Sequence, residues 1–175
     1  GYAGQIAGGV LKAGDEVIVL PSGFTSKIQS IDTADGPIDE AFPPTSVTVR
    51  LADDLDVSRG DMICRVHNQP RVTQDLDAMI CWLSEQPMKA RGKYFIKHTS
   101  REARALVTDL QYRLDVNTLH RDETADTLSL NEIGRVSLRT TLPLFVDEYR
   151  RNRTTGSFIL VDEANYATVA SGMIH

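Results

Sequence analysis

The sequence contains little cysteine and no long apolar run, and both absences limit what the protein can be. Only Cys64 and Cys81 occur among 175 residues, too few for the disulfide framework of a small secreted domain. No uninterrupted apolar stretch approaches the roughly 18 residues that a membrane-spanning helix needs. We therefore expect a protein of the reducing cytoplasm that has no membrane segment.

Positive charge is not in excess either. Lys and Arg number 19 against 24 Asp and Glu, which gives a formal net charge of −5 and argues weakly against a nucleic-acid surface formed by the whole chain. The hydrophobic fraction of 41% and the charged fraction of 25% are ordinary for a folded globular chain. Because the chain opens Gly-Tyr-Ala-Gly without an initiator Met or a signal peptide, we expect that it was cut from a longer protein whose first strand is incomplete here.

Motifs for common enzyme chemistry are also missing. No G-x-x-x-x-G-K-[ST] occurs, and residues 91–94 lack both the upstream glycine and the hydroxyl residue of a phosphate-binding loop. Cys64 and His67 are three residues apart on a strand and therefore face opposite sides, so they do not readily share a metal ion. Three other histidines have no Ser or Cys partner at a recognisable spacing and are interpreted as structural, at the surface or partly buried: His98, His120 and His175. We assign no catalytic, cofactor-binding or metal-binding residue.

What the sequence does contain is a series of short strands, and those of its first part form one unit. Residues 2–32 have the pattern of a β-hairpin, with a β-branched apolar run at Glu16–Leu20 and a Pro-Ser-Gly turn into Phe24–Ile31. Apolar residues alternate with polar ones from Val47 to Leu51, which indicates a half-buried strand. A last strand at Met62–Val66 precedes a linker at Asn68-Gln69-Pro70. We therefore predict a first domain over residues 1–69 and a second over residues 70–175.

The second part has the clearest alternation. A long strand is predicted from Val72 to Leu83, and a loop at residues 86–92 leads to the next strand at Tyr94-Phe95-Ile96. Further on, a period of two over eleven residues argues against a helix. One face of this predicted strand carries Leu106, Thr108, Leu110, Tyr112, Leu114 and Val116, and the other carries Asp109, Gln111, Arg113 and Asp115.

The remaining strands complete the predicted sheet. Residues 128–142 are interrupted at residues 131–134 by a bulge or bend, and two further strands are predicted at Ser157–Val161 and Ala167–Ile174. The apolar positions of the interrupted segment are Leu128, Leu130, Val136, Leu138 and Leu142. Short strands without a long amphipathic helix predict an all-β protein of two tandem small antiparallel barrels or sandwiches, and periodicity does not distinguish between these.

One dense polar segment lies at residues 149–157, Tyr-Arg-Arg-Asn-Arg-Thr-Thr-Gly-Ser. Its guanidinium groups present fixed forks of donors that fit phosphate or carboxylate, so the segment could bind an anion or a partner protein. An exposed loop whose arginines pair with Asp147, Glu148, Asp162 or Glu163 is the alternative. The candidate interface residues are Arg150, Arg151, Asn152, Arg153, Thr155 and Gly156.

Several segments carry a resemblance to known families. The first unit resembles the second domain of an elongation factor Tu-type GTPase in residues 1–4, 11–17, 20–23 and 56–61. The second unit resembles the large, GTP-hydrolysing subunit of bacterial sulfate adenylyltransferase, or ATP sulfurylase. The matching motifs are Asp115-Val116-Asn117-Thr118-Leu119, Leu130-Asn131-Glu132-Ile133-Gly134-Arg135-Val136 and Asn152-Arg153-Thr154-Thr155-Gly156-Ser157-Phe158-Ile159.

This resemblance implies β-barrels similar to domains II and III of translation GTPases. In that family a GTPase domain precedes the barrels, and a small subunit makes adenylylsulfate and pyrophosphate from ATP and sulfate. Some large subunits continue into an adenylylsulfate kinase domain. GTP, ATP and Mg would serve the parent complex, whereas this fragment is expected to bind no cofactor and to be inactive alone. The expected partners are the small catalytic subunit and the chain's own GTPase domain.

Two alternatives of another class remain. The architecture of the first unit would also fit barrels that hold a transfer RNA, as in a translation factor. The net negative charge of the chain disfavours this RNA-binding role. A pure protein-interaction module with no enzyme attached is the other alternative.

Overall fold

The computed structural model describes all 175 residues, which form two compact units, Gly1–Pro70 and Arg71–His175. All regular elements are β-strands, and every strand pair is antiparallel. The prediction of an antiparallel all-β protein is therefore confirmed. The structure contains no helix that could cross a membrane.

The first unit contains eight strands. They are β1 Tyr2–Gln5, β2 Leu11–Lys12, β3 Glu16–Leu20, β4 Thr25–Thr33, β5 Gly36–Ile38, β6 Glu40–Ala41, β7 Ser46–Leu51 and β8 Met62–Arg65. One sheet has the order β1-β7-β4-β3-β8 with β5 beside β4, and β2 pairs with β6. The predicted strands at Glu16–Leu20, Val47–Leu51 and Met62–Val66 are confirmed to within one residue.

Alternation along these strands forms the core of the first unit. Side chains at every second position of a strand point to the same face. The core cluster of buried apolar residues consists of Leu11, Val17, Val19, Ile28, Ile31, Ala41, Val47, Val49 and Leu51. Phe24, which was predicted to open a strand, instead lies in the turn before β4 and is exposed.

The second unit contains seven strands. They are β9 Arg71–Trp82, β10 Lys93–His98, β11 Arg101–Leu114, β12 Arg121–Asp122, β13 Ile133–Val146, β14 Ser157–Val161 and β15 Thr168–Ile174. Their order is β10-β14-β15-β9-β13-β11, and β10 also pairs with β11. These six strands therefore form a closed barrel, which leaves no free sheet edge among them.

The interior of the barrel is filled by apolar side chains from all six strands. Leu76, Ala78, Ile80 and Trp82 of β9 are buried. Trp82 packs edge-to-face against Tyr94 with ring centroids 5.6 Å apart. The strand predicted near Tyr94 and the two predicted after residue 156 are confirmed as β10, β14 and β15. Two loop residues, Met88 and Leu128, also belong to this core.

The predicted faces of β11 are partly wrong because two β-bulges interrupt the alternation. The pairing of β11 with β13 shifts between Val107 and Asp109 and again between Leu110 and Tyr112. Each bulge adds one unpaired residue and reverses the side that the following residues face. The buried residues before the first bulge are Ala103, Ala105 and Val107, whereas Thr108 is exposed. Leu110 returns to the core side after it.

Two of the apolar residues noted between residues 128 and 142 are exposed. Leu130 lies in the turn that precedes β13, where Glu132 N–H donates to the Ser129 carbonyl over 3.0 Å, and its side chain is exposed. Leu142 is exposed where the register between β13 and β9 shifts, between Arg139 and Leu144. The predicted interruption within a strand at residues 131–134 is instead the turn before β13, which begins at Ile133, and Asn131 in this turn is in the left-handed region at φ 66°.

Candidate functional site

The connection between β13 and β14 contains all six predicted interface residues. We call residues 147–157 the arginine loop. The backbone turns tightly at its start, where the Glu148 carbonyl accepts from Arg151 N–H at 2.9 Å and from Asn152 N–H at 3.1 Å. Arg150 lies within this turn and is exposed.

Asn152 organises the second half of the arginine loop. Its side-chain Oδ1 accepts from the backbone N–H of Thr154 at 2.9 Å and of Thr155 at 3.3 Å. Its carbonyl accepts from Gly156 N–H at 2.8 Å. The two bonds to Oδ1 replace backbone pairing by a side-chain acceptor, as Asn and Asp commonly do in turns. Asn152 therefore shapes the loop from within.

Gly156 allows the two halves of the loop to approach each other. A Cβ atom at this position would lie 2.4 Å from Tyr149 Cα and 2.6 Å from the Asn152 carbonyl oxygen. Strand β15 holds both halves of the loop in place. Ile174 N–H donates to the Gly156 carbonyl, and Tyr149 N–H donates to the Ile174 carbonyl. Glycine is required here by close approach of the backbone.

Thr155 anchors the loop to the barrel. Its side chain is buried and donates through Oγ1 to Asp147 Oδ2 at 2.8 Å. Its carbonyl lies 2.7 Å from Nε2 of His98, at the end of β10. A carbonyl only accepts hydrogen bonds, so the Nε2 atom carries the imidazole hydrogen. The loop is thus held by hydrogen bonds on its inner side.

His98 is more deeply buried than the sequence indicated. It was predicted to be structural at the surface or partly buried, but only 1% of its surface is exposed, and Nδ1 has no hydrogen-bond partner. Burial lowers the pKa of His98, while the Thr155 carbonyl and Asp147 oppose this shift. His120 and His175 are exposed. We conclude that His98 supports the loop in its neutral form.

The three guanidinium groups of the arginine loop face outward. Arg150 makes no ion pair, and Arg151 has a side chain that is 72% exposed, with its Nε 3.9 Å from Asp147 Oδ1. The Arg153 guanidinium lies 5.9 Å from the Tyr149 ring centroid. Of the four acids considered as loop partners, Asp147 alone contacts one of these arginines, and Glu163 pairs with Arg104. The loop therefore presents three exposed and weakly engaged cations on a rigid backbone.

The contacts that anchor the arginine loop were not visible in the sequence. Asp147 was considered as a partner of the arginines, but its bond to Thr155 was not foreseen, and His98 is 57 positions away from Thr155. Alternation in β10 places His98 on the inner face with Tyr94 and Ile96. That pattern is the only signal that could have predicted its burial.

Cys64 provides no reactive site. Burial raises the pKa of its thiol to about 11, so the nucleophilic thiolate is scarce at neutral pH. Its Sγ lies 3.8 Å from the Ile18 carbonyl on the neighbouring strand. Cys64 is thus a packing residue of β8.

Comparison with known sequences identifies strong similarities. Residues 75–175 match the GTP-eEF1A C-terminal domain-like family. The chain is 59% identical over 174 residues to the bifunctional enzyme CysN/CysC of Mycobacterium tuberculosis, and this covers 99% of the chain and 28% of that protein. It is 45% identical to sulfate adenylyltransferase subunit 1 of Bacteroides fragilis, with 99% of the chain and 36% of that protein covered. The chain thus spans about a third of the length of these relatives.

Comparison with solved structures supports the fold. A crystal structure of sup35 complexed with GDP matches 98% of this chain and 42% of its own, with a TM-score of 0.87 and 23% sequence identity. At this identity the match shows a common fold. Together with the sequence similarities, it confirms the resemblance to the large subunit of sulfate adenylyltransferase and to translation-factor barrels.

Proposed function

Because the chain belongs to the GTP-eEF1A C-terminal domain-like family, we propose that it is the non-catalytic barrel segment of a GTP-hydrolysing sulfate adenylyltransferase subunit. The observation that carries this proposal is the 45–59% identity over essentially the whole chain to CysN/CysC and to sulfate adenylyltransferase subunit 1. The parent enzyme makes adenylylsulfate and pyrophosphate from ATP and sulfate. In a bifunctional parent, a kinase domain then phosphorylates the adenylylsulfate.

The proposed parent assigns a role to each unit. Residues 1–69 correspond to a domain II-like barrel and residues 70–175 to a domain III-like barrel. GTP, ATP and Mg act elsewhere in the parent complex, which we place in the cytoplasm. The barrels are a rigid platform for the GTPase domain, and they form part of the docking surface for the small catalytic subunit. A nucleotide-driven rearrangement of this kind needs an interface with two arrangements whose balance the nucleotide shifts.

The arginine loop is the contact that we propose for the small subunit. Its backbone is held by Asn152, Thr155 and Gly156, so few degrees of freedom would be lost on binding. Arg150, Arg151 and Arg153 are exposed and weakly engaged. A guanidinium fork binds carboxylates in a bidentate manner. The loop thus fits an acidic surface on a partner protein.

Calorimetric titration of the chain with the separately produced small subunit tests this proposal. We expect saturable binding to the subunit and no heat from GTP. Replacing Arg150, Arg151 and Arg153 together by Ala should weaken binding at least about tenfold, since three charge-assisted contacts would be lost.

A matched control removes three other exposed arginines. The variant Arg59→Ala, Arg65→Ala and Arg71→Ala has the same change in charge, and none of these arginines makes an ion pair. It should bind the small subunit as the unmodified chain does. Equal affinity of both triple variants would remove the arginine loop from the interface. Binding of RNA that weakens steeply with salt would instead favour the transfer-RNA alternative.

A further inference from the structure

A second surface lies at the other end of β13, away from the arginine loop. Residues 115–120 connect β11 to β12, and the turn at residues 129–132 leads into β13. Between these two segments is an open cleft of about 460 Å³. It is lined by Arg113, Leu114, Asp115, His120, Asp122 and Glu132.

The cleft has an excess of negative charge on a fixed framework. The Arg113 guanidinium donates to Asp122 Oδ2 at 2.9 Å and to Glu132 Oε1 at 3.1 Å. Asp115 is a third carboxylate, so three negative groups surround one positive group. Hydrogen bonds from the backbone of Asn117 and Thr118 lower the pKa of Asp115, which is therefore ionised at neutral pH.

Apolar side chains are exposed on both segments beside the cleft. Val116 is 58% exposed, Leu119 is 72% exposed and Leu130 is 44% exposed. Leu119 also has a left-handed backbone conformation, at φ 59°, which leucine rarely adopts. A large, exposed apolar residue in this conformation is unfavourable for the isolated fold, and such local conflicts are typical of functional positions.

We propose that this cleft docks a protein segment that presents an arginine between apolar side chains. The apolar side chains would cover Val116, Leu119 and Leu130, while the guanidinium would enter the negative cleft. Arginine fits because its fork can bridge carboxylates whose oxygens already accept other bonds. A bare metal ion does not fit, because it would meet the Arg113 guanidinium. The site is separate from the arginine loop and does not depend on the proposed parent enzyme.

The occupant follows from this charge complementarity. Glu132 Oε1 accepts from Arg113, and its Oε2 accepts from the Ser129 N–H at 2.7 Å, so its orientation is set before any partner arrives. Carboxylate oxygens that are already oriented favour binding of a cationic segment, whereas they repel an acidic one. The cleft therefore distinguishes a cationic partner from an anionic one.

Methyl-resolved NMR of the 175-residue chain tests the proposal with two blocked tripeptides, Leu-Arg-Leu and Leu-Glu-Leu. We expect Leu-Arg-Leu, at millimolar concentration, to shift the methyl signals of Val116, Leu119 and Leu130 in a saturable manner. Leu-Glu-Leu should leave them unchanged. Equal shifts from both peptides, or no saturable shift from Leu-Arg-Leu, would overturn the proposal.

Two variants separate the charge of the cleft from its apolar rim. Asp115→Asn keeps an oxygen that can accept from Asn117 and Thr118, and it should weaken Leu-Arg-Leu binding about threefold to fivefold, as expected for one exposed ion pair. Leu119→Asn suits the left-handed conformation and should weaken binding by a similar factor without loss of stability. Asp54→Asn, at an exposed site in the first unit, is the matched control and should bind normally. Unchanged binding by both cleft variants would contradict the assignment.

Discussion

His98 is the clearest case in which one residue has a role that its neighbours in sequence do not indicate. Its ring is buried at the end of β10, and its Nε2–H donates to the Thr155 carbonyl of the arginine loop. Protonation would place a charge and a second, unpaired N–H in the interior. The cost of burying such a group is the physical reason for its lowered pKa.

His98 should therefore make the stability of the second unit depend on pH. Since its folded-state pKa lies below the ordinary value of about 6.5, the unfolded chain binds more protons as pH falls below neutrality. The free energy of unfolding should fall between pH 7 and pH 5, with a limiting slope of about 1.4 kcal/mol per pH unit. The variant His98→Gln keeps a donor for Thr155 but does not titrate. Its free energy of unfolding should fall over this interval by on the order of 1 kcal/mol less than that of the unmodified chain.

Urea unfolding followed by fluorescence measures this effect, because Trp82 is the only tryptophan and lies in the second unit. Hydrogen bonds lower the pKa values of Asp77, Asp115 and Asp122, so these carboxylates titrate below the interval. His120→Gln, at an exposed site, should behave as the unmodified chain does. Parallel pH profiles for the His98→Gln variant and the unmodified chain would show that His98 is not responsible.

At the scale of elements, ion pairs across β9 and β13 complement the apolar interior. Arg135 donates to both oxygens of Asp77, at 2.9 Å and 2.6 Å. This bidentate bond to Arg135 is the main cause of the lowered pKa of Asp77. The contribution of this pair to stability is present at neutral pH and is lost only as pH falls through the lowered pKa of Asp77. This ion pair on the outer surface of the barrel thus joins β9 and β13 in the same register that turns their apolar side chains into the interior.

The arginine loop is an element whose shape depends on a single glycine. Gly156→Ala would bring a Cβ atom into contact with the backbone of Tyr149 and Asn152. Tyr149 N–H donates to the Ile174 carbonyl of β15 and the Asn152 carbonyl accepts from Gly156 N–H, so a shift of either residue would break a hydrogen bond. We expect the free energy of unfolding to fall by at least about 3 kcal/mol. Urea unfolding monitored through Trp82 measures the change.

Thr154→Ala in the same loop is the matched control. Thr154 is exposed, and the bond to Asn152 uses its backbone N–H, so the change in stability should stay within about 0.5 kcal/mol. If Gly156→Ala and Thr154→Ala unfolded at the same urea concentration, the close approach at Gly156 would not limit stability.

At the scale of the whole molecule, the two units differ in how much core they bury. The hydrophobic core cluster of the second unit contains twenty buried apolar residues, and that of the first contains nine. Small domains bury a smaller fraction of their surface and are correspondingly less stable. The second unit should therefore fold by itself, and the first should be the less stable of the two.

Separate expression of residues 1–70 and 71–175 checks this expectation. Residues 71–175 should unfold cooperatively, with the Trp82 fluorescence transition at nearly the same urea concentration as in the whole chain. Residues 1–70 should unfold at a lower urea concentration, as followed by circular dichroism. A fragment 71–175 without a cooperative transition would show that its barrel requires the first unit.

The sequence determined the strands and the fold class, because local alternation records which side of a strand is buried. This holds for β7, where Val47, Val49 and Leu51 are buried, and for the second half of β9, where every second residue from Leu76 to Trp82 is buried. Motifs such as Asp115-Val116-Asn117-Thr118-Leu119 also carried the family resemblance. Alternation failed in β11, because its bulges are set by the pairing with β13 rather than by β11 alone.

Only the tertiary structure decided how the polar residues are used. The bond between His98 and Thr155 and the clash that excludes a side chain at Gly156 join residues that are distant in sequence or that meet only when the loop closes. The cleft beside Leu119 likewise combines two segments separated by β12 and the loop that follows it. Contacts of this kind depend on barrel closure, and local sequence patterns contain no record of which strands become neighbours.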